Sequence, residues 1–470
     1  MLLANLIFSE RTRLCVSRSL FSISFLLLVN TVIAQNSPYS RYGLGDQISN
    51  TNIATRGMGG LSAGYREPQT INFSNPASYS AFLAILEGVS KDVAFGRVVF
   101  DAGVNIDSRT LRSPNTTQSF TSTNAQFSYL QLGLPIRKGW GIAFGLRPIT
   151  RVGYNITRRE RLFDPNTLLP IDSALTEFTG DGGSFLPSIG TGVAIKNFSA
   201  GINLGYLFGK KEIGTRRALF NDSVNYQNSV HSTVYSFGDL FLNAGLQYNI
   251  EINKQSAITL GAAGNWKQKL KGQQDTRRES FIRGSVGEEF RIDSVFEQKD
   301  VKGEVVFPAS FTYGFMINNN PTTEQNRRAW SLGADFVQNQ WDNFRFFGAK
   351  DSVKNNWELR LGGQLNQHSK AFINSRYSQL ISYRAGIFIG KDYVNLGKEV
   401  PLLGATFGVG LPIFSFNDPS RYRRSQATNL NLSFEYVRKG NNESRLKENM
   451  FRISAGFNFS DSWFSKRKYD

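Results

Sequence analysis

From residue 98 onwards, apolar residues occupy alternate positions in one stretch after another, and turn residues separate the stretches. Side chains alternate between two faces along a strand, so each stretch predicts a ribbon with one apolar and one polar face. A clear example is the apolar series Val305, Phe307, Ala309, Phe311, Tyr313, Phe315 and Ile317. Such ribbons build either a soluble sandwich, whose apolar faces meet, or a membrane barrel, whose apolar faces meet lipid.

The first 34 residues predict a secretory signal peptide, which favours the barrel. Arg11, Arg13 and Arg18 precede an apolar run from Leu20 to Ala34. That run is too short and too interrupted for a good spanning helix, although an uncleaved anchor is the alternative. No later stretch holds 18 consecutive apolar residues, as expected for a barrel whose strands alternate.

Fourteen strand candidates follow, an even number as bacterial barrels require. Their predicted spans are 98–110, 119–136, 140–157, 183–195, 198–216, 232–250, 256–270, 303–318, 327–343, 352–366, 380–394, 400–415, 425–439 and 449–460. The connectors at 137–139, 196–197 and 253–254 are tight, whereas those at 158–182, 217–231 and 271–302 are long and polar. Short periplasmic turns that alternate with long external loops are typical of an outer-membrane barrel.

Composition and charge agree with that interpretation. Aromatic residues make up 13% of the 470 residues, and 44 residues are glycine, which suits aromatic girdles and close strand bends. The formal charge of +17 falls to about +15 once the signal peptide is removed. Nucleic acid is excluded as a partner by export. The basic runs, among them 158–161, 216–217 and 421–424, could contact lipid phosphates or only aid solubility.

Residues 35–97 do not have the strand pattern. They contain Gly57 and Gly59 in a glycine-rich run, then Asn75-Pro76-Ala77. A glycine-rich approach, an Asn-Pro-Ala element and a fourteen-stranded barrel together resemble the FadL/TodX-type outer-membrane transporters of hydrophobic compounds. The resemblance implies that residues 35–97 form a hatch that plugs the lumen of a barrel over 98–460, and that Asn-Pro-Ala belongs to the hatch. Residues 461–470 form a tail beyond the last strand, assigned to the periplasm.

A transporter of hydrophobic molecules needs apolar side chains on an otherwise polar inner face. The positions that supply them in this register are Leu207, Phe241, Met316, Val337 and Phe388, and the cations that could pair with a carboxylate head group are Arg360, Arg384 and Arg452. In the alternative, the apolar residues pack on the hatch. The arginines then pair across the lumen with Asp101, Asp335, Glu358 or Glu435.

Catalysis is not expected. The chain has two histidines, His231 and His368, which fall at opposite ends of the predicted barrel, and no Gly-x-Ser-x-Gly element. Its single cysteine, Cys15, lies in the signal peptide, so the mature chain has no thiol. The mature chain also has no paired histidines that could bind a metal. No cofactor is predicted.

We therefore expect a monomeric, integral outer-membrane β-barrel for diffusive uptake of hydrophobic molecules such as long-chain fatty acids. Its expected partners are outer-membrane lipids with lipopolysaccharide, a hydrophobic ligand, and the barrel-assembly machinery. Two alternatives stay open: a passive porin, and a structural or secretion-associated barrel that docks proteins through the long loops and the tail.

Overall fold

The computed structural model describes residues 37–86, 93–113, 119–163, 166, 170–220, 226–283, 288–320, 328–366, 377–413, 426–444 and 446–463. Its helices are the short α1 (Ile53–Arg56) and four 3-10 turns at Pro38–Arg41, Pro76–Ala81, Trp341–Asn343 and Tyr377–Gln379. Within these ranges, no helix is both long and apolar enough to span a membrane.

All the strands belong to one antiparallel sheet. They are β1 (Asp46–Gln47), β2 (Ala84–Leu86), β3 (Val93–Arg112), β4 (Ser119–Arg137), β5 (Trp140–Phe163), β6 (Pro170–Ile195), β7 (Phe198–Phe220), β8 (Asn228–Glu251), β9 (Ser256–Asn265), β10 (Gln268–Arg283), β11 (Glu289–Phe307), β12 (Ser310–Asn319), β13 (Ala329–Asn339), β14 (Arg345–Phe346), β15 (Asn356–Asn366), β16 (Ser382–Lys391), β17 (Pro401–Ile413), β18 (Gln426–Lys439) and β19 (Lys447–Trp463).

The sheet closes into a barrel of fourteen strands. β9 and β10 are two pieces of one barrel strand, since both pair with β8, and β12 and β11 pair with those pieces in turn. β14 continues the line of β13, and β19 pairs with β3 to close the ring. The predicted fold, a fourteen-stranded barrel with its N-terminal segment in the lumen, is confirmed. Each predicted span overlaps one barrel strand, although the first strand begins at Val93 and the last ends at Trp463.

The two faces of the wall differ as alternation predicts. On β8, Leu240 is 61% exposed and Leu246 is 49% exposed on the outer face. On the inner face of the same strand, Asn243 and Gln247 are buried. The outer surface is therefore apolar where it would meet lipid, and the lumen is lined by polar side chains.

The continuous apolar face predicted from Val305 to Ile317 is wrong. The strand breaks at Pro308-Ala309, between β11 and β12, and the break moves the apolar series from one face to the other. Val305 is buried in the lumen, whereas Tyr313 and Phe315 face outwards and are exposed. Proline lacks the N–H that a ladder needs, so this position ends the regular pairing.

The three long loops predicted at 158–182, 217–231 and 271–302 are also wrong. Strand pairing continues through most of each region, so that β5–β6, β7–β8 and β10–β11 form tall hairpins. Charged residues alternate with small and apolar ones there, and charge alone does not end a strand that has a paired neighbour. We assign the end with these hairpins to the outside and the end with tight turns to the periplasm.

The N-terminal segment descends through the lumen from the outer end. At the top, the Ser37 hydroxyl donates to Glu448 at 2.7 Å, and the Tyr39 hydroxyl donates to the Leu446 carbonyl at 2.8 Å. Lower down, β1 pairs with β5, and near the periplasmic end β2 pairs with β3. We call residues 37–86 the hatch.

Lumen-facing glycines let the hatch approach the wall closely on most barrel strands. A Cβ at any of them would meet a hatch atom at 3.1 Å or less: Gly103, Gly133, Gly141, Gly192, Gly201, Gly245, Gly261, Gly333, Gly362, Gly386, Gly408 and Gly456. The nearest hatch atom belongs to the backbone at seven of these positions and to a side chain at the other five, so the lower lumen is tightly packed around most of its circumference.

Candidate functional site

Asn75-Pro76-Ala77 anchors the hatch to the wall. The Asn75 side-chain amide donates to the Ala63 carbonyl at 2.7 Å and to the Leu246 carbonyl of β8 at 3.3 Å. Its oxygen accepts from the Ala77 N–H at 3.2 Å, which caps the 3-10 turn that Pro76 begins. The residues singled out from sequence therefore hold the plug in place.

Gly57 and Gly59 also contact the wall. A Cβ at Gly57 would lie 2.8 Å from the α-carbon of Gly408. Gly59 has a φ of +75°, and its N–H donates to the Thr406 hydroxyl at 2.8 Å. Both positions require glycine, the first for close approach and the second also for its left-handed backbone.

Arg56 fixes the centre of the hatch. It is 1% exposed, and its guanidinium donates to Asn105 and Ser128 of the wall and to the carbonyls of Ser49 and Thr51. Burial without an adjacent carboxylate lowers the pKa of Arg56. Removing this side chain would leave several buried acceptors without donors.

Above the hatch lies a cavity of about 280 Å³. Hatch residues 46–51, Gly59, Gly60 and Ser62 form part of its boundary, and much of the rest comes from strands on all sides of the barrel. Apolar and charged side chains both line it, which is the composition expected of a site for an amphipathic molecule.

The apolar part of the lining contains three of the residues that the sequence indicated, although Phe388 lies opposite Arg360 on the neighbouring strand. Phe241, Val337 and Phe388 line the cavity. Phe241 meets Phe307 edge to face, with 5.4 Å between the ring centroids. Phe307 was not predicted, because the strand break moves it from the outer to the inner face.

Three other predicted residues do not reach the cavity. Leu207 is fully buried in the apolar cluster at the outer end of the lumen. Met316 packs with Met58, Leu61 and Tyr65 of the hatch. Arg384 donates to Gln364 at 2.7 Å and to Asn431 at 2.8 Å, beneath Gly57.

The remaining predicted cations line the cavity but are already paired. Arg360 binds Glu358 at 2.8 Å and donates to the Gly60 carbonyl. Arg452 binds Glu435 at 3.3 Å and Asp107 at 2.6 Å. Glu358 and Glu435 are partners that the alternative named, but the pairs lie within one strand or between neighbouring strands of the wall and not across the lumen. By contrast, the other two predicted acids bind uncharged donors: Asp335 accepts hatch N–H groups, and Asp101 accepts the Tyr129 hydroxyl.

A cluster of buried charges joins the hatch to the charged part of the lining. Asp46 of β1 lies 2.5 Å from Arg109 and 3.4 Å from Lys439. Arg109 also binds Glu448 at 3.0 Å, and Lys439 also lies 3.4 Å from Asp392. We call these five residues the charge clamp.

The two clamp carboxyls outside the spanning strands have opposite shifts. Burial opposes ionisation of Asp46, but Arg109 and Lys439 outweigh it and hold the pKa of Asp46 well below its ordinary value. Burial raises the pKa of the Asp392 carboxyl, because Lys439 alone does not compensate for it.

Arg147 is the cation that the sequence did not single out. It lines the cavity, is 4% exposed, and donates to the Phe73 carbonyl while lying over the Phe73 ring. Its Nε has no hydrogen-bond partner, and no carboxylate of the described residues lies within 4 Å of the guanidinium. No sequence signal distinguishes it from the chain's many other arginines.

An aromatic cover closes the cavity towards the outside. Trp341 stacks on Tyr393 with 4.5 Å between centroids, and Phe344 packs beside Trp341. The Tyr393 hydroxyl donates to the Gly45 carbonyl at 2.7 Å, which ties the cover to the hatch. Trp341 and Tyr393 fall within the predicted strands 327–343 and 380–394, but the strands end at Asn339 and Lys391, so that prediction is wrong there and both residues lie in connectors.

The wall is split beside the cavity. β4 pairs with β5 only along Leu130–Arg137 and Trp140–Leu146, although both strands continue outwards. Above that point β1 of the hatch pairs with β5 at Thr150 and Arg151. Arg147 lies directly above the last β4–β5 pair, where the cavity and the split meet.

The histidines and the possible metal ligands are the residues that bear on catalysis. His231 lies on β8 in a tall hairpin, and His368 lies outside the described residues. No group of three His, Cys, Asp or Glu able to hold a metal ion occurs in the described part of the chain.

A protein-family model named BamG matches residues 16–470, nearly the whole chain. The chain belongs to the BamG family. No curated protein matches this BamG-family chain.

Among solved structures, the Pseudomonas putida toluene transporter TodX is 13% identical, with a TM-score of 0.50, and the match covers 88% of this chain and 99% of TodX. The Ralstonia pickettii toluene transporter TbuX is 12% identical, with a TM-score of 0.48 and coverage of 87% and 98%. A FadL homologue from Pseudomonas aeruginosa is 13% identical, with a TM-score of 0.47 and coverage of 90% and 100%. The TodX match shows a shared outer-membrane barrel fold, which confirms the predicted resemblance in architecture.

Proposed function

We propose that the protein is an outer-membrane transporter that admits small hydrophobic molecules carrying an anionic group. The observation that carries this proposal is the mixed lining of the cavity, which combines Phe241, Phe307 and Phe388 with Arg147, a cation that pairs with no carboxylate of the described residues. TodX is described as a toluene transporter, which adds support for a hydrophobic substrate.

The cavity volume limits the ligand. About 280 Å³ is near the lower end of the roughly 300–1,000 Å³ typical of ligand sites. A compact aromatic or medium-chain acid would fit within it. A long-chain fatty acid, the archetype for this fold, would need the Trp341 cover to move.

We propose that the transported molecule leaves the cavity through the wall of the barrel. The glycine contacts of the lower lumen leave the hatch little room to move, so a path to the periplasm would break many contacts at once. The split between β4 and β5 lies beside the cavity, where β1 pairs with β5 and where Ser40 and Ile48 of the hatch also hydrogen-bond to β5. Release of this part of the hatch from β5 would connect the cavity with the outer face of the wall.

The test is calorimetric titration of the purified protein in mild detergent, with octanoic acid and its methyl ester as the two probes. A charge-assisted hydrogen bond contributes about 1.5–3 kcal/mol, so Arg147→Gln should weaken binding of the acid roughly ten- to hundredfold. The ester should be little affected, and Phe388→Ala should weaken both probes.

Arg384→Gln is the matched control, since Arg384 is a buried arginine outside the cavity. Mass spectrometry of co-purified small molecules would identify the natural ligand class. The proposal fails if Arg147→Gln binds the acid as tightly as the unaltered protein.

The passive porin is the less favoured function, because the hatch touches the wall on most strands. A steady single-channel conductance of the unaltered protein in a planar bilayer would reverse that preference.

A further inference from the structure

The basic runs of the tall hairpins play no part in the proposed transport. Strand alternation divides each run between two faces. Arg216 faces outwards, where it pairs with Glu177 at 3.2 Å and with Glu289. Arg217 faces inwards, on the same side of β7 as the buried Lys211.

Arg158 also faces inwards. It lies on the same face of β5 as Val152 and Tyr154, which are buried in the lumen. Arg159 and Arg161 therefore point to the outside. The inner arginines stand above the hatch and the aromatic cover, in the part of the lumen that we call the vestibule.

The register places the inner residues in two rows across four strands. In the upper row, Arg158 is opposite Thr176, Thr176 is opposite Arg217, and Arg217 is opposite Ser229. Neighbouring strands lie about 4.8 Å apart, so the two arginines arise about 10 Å apart with a threonine hydroxyl between them. The side chains of Arg158 and Arg217 extend into this gap from its two sides.

In the lower row, Phe178 is opposite Thr215, and Thr215 is opposite His231. The two rows enclose a concave space of about 370 Å³. It holds three hydroxyls, an imidazole and one aromatic ring between two guanidinium groups.

The arginines have donors to spare. Glu160 pairs with the Nε of Arg158, which orients the side chain. Arg217 has no carboxylate within 4 Å in the part of the chain that the structure describes. Among the described residues, Glu160 is the single acid that lines the space.

We propose that the vestibule binds a phosphate group carried on a carbohydrate. Two guanidinium groups on opposite sides, with hydroxyls between them, supply more donors than the two oxygens of a carboxylate use. A phosphate monoester presents three acceptor oxygens, which suits this arrangement. Phe178 offers an apolar surface to the C–H face of a sugar ring.

The phosphate could belong to a soluble sugar phosphate or to the head group of lipopolysaccharide, because both present the same chemistry. The experiment is calorimetric titration of the purified full chain in detergent with glucose 6-phosphate, glucose or lipopolysaccharide. We expect glucose 6-phosphate to bind and glucose not to bind. Arg217→Gln and Arg158→Gln should each weaken binding about tenfold, and Arg217→Lys should restore part of it.

Arg216→Gln and Arg159→Gln are the matched controls, since each removes the neighbouring charge from the outer face of the same strand. They should change the dissociation constant by less than twofold. Equal losses with these controls would mean bulk attraction without a site, and would overturn the proposal. Binding of glucose as tight as that of its phosphate would overturn it too.

Titration with lipopolysaccharide distinguishes a lipid head group from a soluble sugar phosphate as the source of the phosphate group. If it binds and Arg217→Gln abolishes that binding while glucose 6-phosphate does not bind, the site takes a lipid head group. If neither phosphate compound binds at millimolar concentration, the proposal is wrong. The thermal transition of each variant, measured on the same samples, shows whether it is folded.

Discussion

The lower and upper halves of the lumen are built from the same strands and have opposite interiors. In the lower half, wall glycines bring hatch and wall into close contact, and little space is left. In the upper half, larger side chains surround an open cavity and the vestibule. The size of the lumen-facing side chains therefore determines where the lumen is filled by the hatch and where it can hold a molecule.

The largest expected effect comes from filling the lower half. A Cβ at Gly261 would lie 1.9 Å from the Ala63 carbonyl oxygen, so Gly261→Leu must displace the hatch. Overpacking a core typically costs about 1–3 kcal/mol. Here the clash is with hatch backbone, so the hatch must give up its contacts with the wall as a whole, and the loss should exceed that of a single buried ion pair. We expect a lower thermal transition and a new ion conductance in a planar bilayer.

Ala263→Leu is its control, because Ala263 is the next lumen-facing residue on the same strand and lines the cavity. It should leave conductance unchanged and stability nearly so. Equal behaviour of the two variants would remove the distinction between the two halves.

A smaller loss is expected from the charge clamp, which joins the halves. Asp46→Asn leaves Arg109 and Lys439 with one acid fewer, and breaking a buried pair costs about 3–5 kcal/mol. Asp392→Asn should cost less, since burial already favours the neutral form of that carboxyl. Thermal unfolding of both variants at neutral pH tests the order.

The same two carboxyls give opposite pH dependences. The lowered pKa of Asp46 means that its contribution is present above the unfolded value of about 3.9 and is lost as pH falls below it. The raised pKa of Asp392 means that its contribution is present at low pH and is lost as pH rises through the folded value. Asp392→Asn should therefore remove a decline in stability that begins as pH rises above about 3.9, and Asp46→Asn should remove one that begins as pH falls below it.

The smallest effect is expected at the gap between β9 and β10. The Gln268 side chain replaces the missing ladder there, accepting from the Leu242 N–H at 2.8 Å and donating to the Leu242 carbonyl at 3.1 Å. Gln268→Ala should cost about 1 kcal/mol, the usual value of a hydrogen bond. Gln298→Ala, at an exposed position on β11, is the comparison, and chemical denaturation measures both.

Strand alternation predicted the barrel and its strand number, because period-2 burial is written directly into the sequence. It failed at Pro308, where one irregular residue pair exchanges the two faces, so Val305 and Phe307 were assigned to the wrong side. It also failed in the tall hairpins, where both faces meet water and the apolar signal disappears.

The site was predicted only in part. Phe241, Val337 and Phe388 were found because apolar side chains on a polar face are visible in the register. Arg147 and the clamp residue Asp46 were not found, since pairing between a hatch residue and distant strands leaves no local pattern. Trp341 and Tyr393 lie in connectors, which lack the alternation of apolar and polar residues that predicts a strand face.

The position of Ile53 has a consequence for biosynthesis. Its side chain lies against Gly103 of β3 and Gly456 of β19, the two strands whose pairing closes the ring. A segment that touches both sides of the seam makes all of these contacts only when the two strands are paired around it. We therefore expect the N-terminal residues to be enclosed while the first and last strands come together.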